Sequence, residues 1–107
     1  MTSFDERRDA FERRFAHDEE LRFKVFARRN KLLGLWAAEK LGYPSDRAND
    51  YALEVVRADF QESGDDDVFR KVRADLEAGG VTQSEHQVRR AMEELLEEAR
   101  RQIAGEA

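Results

Sequence analysis

Apolar positions recur at helical spacing along most of this chain. The clearest stripe is Val88, Met92, Leu95, Leu96, Ala99 and Ile103, which predicts an amphipathic helix. Thr82-Gln83-Ser84-Glu85 ahead of it fits a capping box, and the Gly105-Glu106-Ala107 end should fray. Upstream, Val68, Phe69, Val72 and Leu76 stand at i, i+1, i+4 and i+8, a helix face and not a strand alternation. That helix is expected to be capped by Asp65 or Asp66 and to end near Ala78, before Gly79-Gly80. Tyr51, Val55, Ala58 and Phe60 give another helix a partly apolar face; Ser45 or Asp46 would cap it, and it would run to about Glu62 and stop at Gly64. The first bundle helix is placed from about Glu19 to Leu41, with Gly42 as a left-handed stop and Pro44 just beyond. Four such helices joined by short turns imply an all-α four-helix bundle over residues 19–107. Trp36, the single tryptophan, is expected at the centre of its core.

The first 18 residues differ. At ~100° per residue, Phe4, Phe11 and Phe15 fall within an arc of ~40°, and charged or small residues separate them. The stripe breaks at His17-Asp18-Glu19-Glu20 and resumes on a broader face at Leu21, Val25, Leu32 and Trp36. Residues 1–18 therefore read as an arm, disordered or marginally helical when free. Ser3 with Glu6, Asp9 with Arg13 and Asp18 with Arg22 would support helix locally. The residues alone leave two readings open. The arm is either a helix that docks its rings in a partner's groove or a frayed extension of the first helix.

Composition narrows the function classes. The chain has 107 residues, 40% of them charged, with one Pro and no Cys. Helix formers dominate, disulfide and thiol chemistry are excluded, and a reducing cytoplasm is expected. No apolar run can span a bilayer, and the N-terminus has no signal-peptide core. A net charge of −5 disfavours nucleic acid. Residues 25–43 nevertheless carry four basic groups and one acidic group, whereas residues 44–81 carry five and ten. The basic first helix is expected to face acidic neighbours.

The search for chemistry finds little. His17 and His86 are the only histidines, and no metal-ligand spacing surrounds them. Asp65-Asp66-Asp67 reads as a helix start in which acids favour the dipole. No phosphate-binding glycine loop is present. Arg28, Arg29 and Lys31, with Tyr43 or Trp36 to stack on a base, form a second candidate set for weak adenine-nucleotide binding. The competing reading of that set is a solvated basic face.

Several segments together resemble the zeta-subunit family, small helical inhibitors of the alphaproteobacterial F-type ATP synthase. They are the Ser3-Phe4-Asp5 start, Phe15-Ala16-His17-Asp18, the run from Ala27 to Gly42 (ARRNKLLGLWAAEKLG), Val55 to Phe60, and Asp67 to Lys71. The resemblance implies a non-enzymatic inhibitor subunit. Its arm would insert as a helix into the catalytic interface between alpha and beta subunits, near gamma, and block rotation in the hydrolysis direction. Phe4, Phe11 and Phe15 would then be buried anchors, and Arg7, Arg8, Arg13 and Arg14 rim ion pairs. A monomer is expected when free, cytoplasmic and without cofactor or metal. The rival classes are a small helical adaptor and a nucleotide-sensing bundle, both using the basic first helix.

Overall fold

The computed structural model describes residues 3–59 and 65–106, without the side chains of residues 3–5, 9, 11 and 15. Four helices and no strand occur among the described residues: α1 (Ser3–Leu41), α2 (Ser45–Ala58), α3 (Asp65–Ala78) and α4 (Glu85–Glu106). The all-α bundle expected from periodicity is the fold. Its outline is long, 64 × 25 × 21 Å, with a radius of gyration of 17.4 Å. A compact chain of this size would have a radius near ~13 Å. The excess comes from α1, whose 39 residues correspond to ~58 Å of helix.

The termini of α1 and α3 follow from glycine. Gly42 adopts φ 74°, Tyr43 N–H donates to the Ala38 carbonyl (3.0 Å) and Gly42 N–H to Glu39 (3.1 Å). The same paired geometry closes α3 at Gly80, φ 77°, with Val81 N–H on Leu76 and Gly80 N–H on Glu77. This is the Schellman arrangement, which needs a left-handed residue just past the helix.

Besides the start of α1, three helix boundaries differ from expectation. Pro44, not Ser45 or Asp46, is the N-cap of α2; its extended backbone (ψ 165°) points its carbonyl at the Ala48 N–H, 2.8 Å away. Ser84 caps α4, and the reciprocal box uses Gln87. Ser84 N–H donates to Gln87 Oε1 (2.9 Å), and Gln87 N–H donates to Ser84 Oγ (3.1 Å). Thr82 is two residues too early, because 81–84 are non-helical. At its other end α4 continues through Gly105, and Glu106 accepts a bond from Arg28 at 2.7 Å. The expected end of α2 at Glu62 and Gly64, and Phe60 on its face, lie outside the described residues.

The core gathers Leu33, Ala37 and Ala38 from α1, Tyr51 and Val55 from α2, Val68, Phe69, Val72 and Leu76 from α3, and Val88 and Met92 from α4. On α1 the buried positions are 29, 30, 33, 34, 37 and 38. Trp36 lies ~20° outside that arc at ~100° per residue. It is therefore half-buried on the rim of the core, with the Lys40 ammonium 4.9 Å from its ring centroid, and is not the central residue expected. Small residues occupy the centre instead. A Cβ added at Gly34 would stand 2.6 Å from Ala52 Cα, so α1 and α2 cross with their backbones nearly touching.

Candidate functional site

The N-terminal half of α1 stands away from the bundle. Every described side chain from Glu6 to Glu20 is exposed, including Arg7, Arg8, Arg13 and Arg14. Phe4, Phe11 and Phe15 lie in α1 by backbone, and their side chains are outside the described residues. Local charge pairs support this stretch: Arg8 with Glu12 at 3.3 Å and Lys24 with Glu20 at 3.4 Å, both exposed. Such pairs contribute only ~0.3–0.5 kcal/mol each. The helix starts at Ser3 rather than Glu19, so the break in the apolar stripe at His17–Glu20 does not interrupt the backbone.

Burial begins one turn later. Leu21 and Val25 are half-buried, and Phe26 packs under Arg22 and Arg29, whose guanidinium carbons lie 5.8 and 5.3 Å from its ring centroid. Arg22 thus covers an aromatic face at the root of the projection. The periodicity of charges had suggested Asp18 as its partner.

The basic run Arg28, Arg29 and Lys31 does not converge. Arg29 is 1% exposed. Its Nε donates to Asn30 Oδ1 and its Nη2 to Asp65 Oδ1, both at 2.7 Å. Arg28 faces α4 and bonds Gln102 and Glu106 at 2.7 Å each. Lys31 is exposed and shares an open groove with Arg28, while Arg29 points to the other side of the helix. The basic helix therefore does face acidic partners in α3 and α4.

The three aspartates at the start of α3 act separately. Asp65 takes Arg29, Asp66 takes Arg89 of α4 (2.9 Å), and Asp67 takes Arg70 of its own helix (2.5 Å). Among the described residues no group of three or more His, Cys, Asp or Glu side chains could hold a metal ion. A further polar cluster escaped sequence reasoning. Tyr51 Oη donates to Asp75 (2.9 Å), and Lys71 Nζ bonds the same carboxylate (3.1 Å). Burial, reinforced by the Asp75 carboxylate, pushes the Tyr51 hydroxyl well above the usual tyrosine value. The i, i+4 spacing of Lys71 and Asp75 was the available signal.

Relatives of this chain decide what the projecting helix belongs to. The model of the family described as ATPase inhibitor subunit zeta matches residues 1–102. The chain belongs to that family. The zeta match covers the projection and the bundle together, so both are parts of one family architecture. A protein solved by solution NMR is similar at 49% identity and TM-score 0.72, over 81% of this chain and 99% of its own. No curated protein matches. As a zeta subunit the chain is an inhibitor of the ATP synthase and a regulatory, non-catalytic protein. Among the described residues no helix is long and apolar enough to cross a membrane.

Proposed function

We propose that residues 1–18 are the inhibitory arm and that the bundle is the body that holds it at its target. The arm enters the catalytic interface between alpha and beta subunits, near gamma, as a helix and blocks rotation in the hydrolysis direction. The observation that supports this most is the extension of α1 beyond the bundle with every described side chain from Glu6 to Glu20 in solvent. A helix whose described side chains all lie in solvent is suited to finding partners elsewhere. Positions 4, 11 and 15 share one side of it and supply the anchors, and Arg7, Arg8, Arg13 and Arg14 the rim. The bundle, 21–25 Å across its shorter axes, is too wide to follow the arm into a cleft cut for one helix of ~10–12 Å. The protein works at the cytoplasmic face of the membrane that carries the synthase.

The test is ATP hydrolysis by the purified catalytic sector with the full chain and with a chain lacking residues 1–16. The full chain inhibits; the shortened chain keeps its helical circular dichroism per residue and loses inhibition. A shortened chain that still inhibits fully would sink the wedge mechanism. Phe11→Ala or Phe15→Ala weakens binding by ~2 kcal/mol or more, and Arg7→Ala by less.

A further inference from the structure

Arg22, Phe26, Arg29 and Leu33 fall within an arc of ~60° on α1 at ~100° per residue. Leu33 is in the core, so this arc continues the face that α1 turns to the bundle. The first three residues form a stack. The Phe26 ring takes both guanidiniums, whose carbons lie 5.8 Å (Arg22) and 5.3 Å (Arg29) from its centroid, within cation–π reach. Arg29 is the fixed end. It is 1% exposed, and its Nε bonds Asn30 and its Nη2 bonds Asp65 of α3, both at 2.7 Å. Arg22 is the outer, exposed end, and toward the N-terminus every described side chain from Glu6 to Glu20 is in solvent. The stack thus carries an anchor on α3 two turns up α1, to the level at which burial begins.

That placement matters in two ways. Starting a helix in water is disfavoured on the order of a thousandfold, whereas extending an existing one needs no new nucleus. A stretch attached to a held turn can therefore grow from it. In addition, positions 4, 11 and 15 fall in the same ~60° arc as Arg22, Phe26 and Arg29, because α1 is unbroken from Ser3. The held turn fixes the side of α1 on which those positions stand relative to the body. We propose that Arg22, Phe26 and Arg29 are positioning residues of the inhibitor. The stack is the template from which the arm's helix extends, and it sets the direction that the anchor positions face. These residues act through the arm and not by touching the target. They lower the ordering cost of binding, because the arm is helical and in phase before contact. This rests on the reading of residues 1–18 as the inhibitory arm, and gives the bundle a second task besides holding it.

The chain has no cysteine. Ala10→Cys and Glu93→Cys therefore place one spin label on the arm and one on α4, both at exposed positions. The distance distribution between the labels is measured in the free full-length chain, and the same chains are titrated against ATP hydrolysis by the purified catalytic sector. Phe26→Leu and Arg22→Gln remove the ring and the outer cation while keeping good helix formers. Phe26→Tyr keeps the ring. The wild type should give one dominant narrow distance. Phe26→Leu and Arg22→Gln should broaden it and raise the half-inhibiting concentration about fivefold, with the block still complete at saturation. Phe26→Tyr should match the wild type in both readouts. If Phe26→Leu perturbs the fold, Arg22→Gln decides, since its side chain is exposed. An unchanged distance distribution, or half-inhibition at the wild-type concentration, overturns the template. A block that stays incomplete at saturation makes these residues part of the contact itself and overturns the positioning role. A chain lacking residues 1–16 that inhibits fully overturns the arm reading and this role with it. The distances distinguish that failure, because they report the hold on α1 without the target.

Discussion

The Arg29 guanidinium, 1% exposed, reaches from the middle of α1 to the Asp65 carboxylate at the first turn of α3, 2.7 Å away. The two residues are unequal partners. Asp65 is 46% exposed and can return to water, whereas Arg29 cannot. Removing the acid strands a buried cation, which is the costly way to break such a pair. Asp65→Ala should therefore cost ~3 kcal/mol, while Asp66→Ala, which breaks an exposed pair with Arg89, should cost under ~1 kcal/mol. Urea denaturation of the two variants checks the contrast.

Gly34→Ala should destabilise despite the better helix propensity of alanine. Propensity favours the change by ~1 kcal/mol. The new methyl would meet backbone at 2.6 Å, and Ala52 Cα cannot rotate away. Forcing α1 and α2 apart should outweigh the propensity gain by ~1–3 kcal/mol. A lower melting temperature, measured by circular dichroism, is the expected outcome.

Leu33 and Trp36 should exchange the ranking that composition gives them. Leu33 is 0% exposed in the core cluster, so Leu33→Ala should cost ~3–4 kcal/mol. Trp36→Ala removes a larger ring that is only partly buried on the rim of the core, and should cost ~2 kcal/mol. Tryptophan emission in the folded protein should be only partly blue-shifted and open to an added quencher.

Alkaline pH should weaken the fold through Tyr51. Its hydroxyl is raised in the folded state by burial, and then by its bond to Asp75 and that carboxylate's charge. The unfolded chain loses this proton near pH ~10, while the folded chain keeps it. The contribution is complete below the unfolded value and is lost as pH rises beyond it. Stability measured by urea at pH 7 and pH 11 should fall for the wild type, and fall less for Tyr51→Phe.

Amide exchange in the free protein should divide α1. From Glu6 to Glu20 no described side chain is buried, so helix there has only local support and exchanges fast. From Arg29 to Ala38 the buried face should hold exchange near the global rate. On addition of the catalytic sector, protection should appear between residues 4 and 20. Strong protection of that stretch in the free monomer would contradict its reading as an arm.

The bundle was legible in the sequence where one face of a helix is apolar and a glycine ends it. The stripes of α3 and α4 and the stops at Gly42 and Gly80 are of that kind. The capping of α2 and α4 was less legible, because Ser, Thr and Asp crowd both starts and only the hydrogen bonds choose among them. Arg29 was unreadable as an interior group, since its partner lies 36 residues away and nothing local marks a guanidinium as buried. Trp36 misled for a geometric reason: at this crossing the centre belongs to Gly34, Ala37 and Ala38, which let the backbones approach and leave no room for an indole. At the site, the thin stripe set apart the stretch whose described side chains are exposed.

The unbroken backbone of α1 has one more consequence. A helix with no hinge between Ser3 and Leu41 has no place to take up slack, so arm and body share one reading frame. One residue inserted after His17 would turn positions 4, 11 and 15 by ~100° relative to the bundle, presenting charged flanks where rings belong. Seven inserted residues would turn them by only ~20° and lengthen the reach by ~10 Å. Changes of length in this stretch should thus be tolerated in whole heptads and rejected singly, even though every described side chain from Glu6 to Glu20 is in solvent.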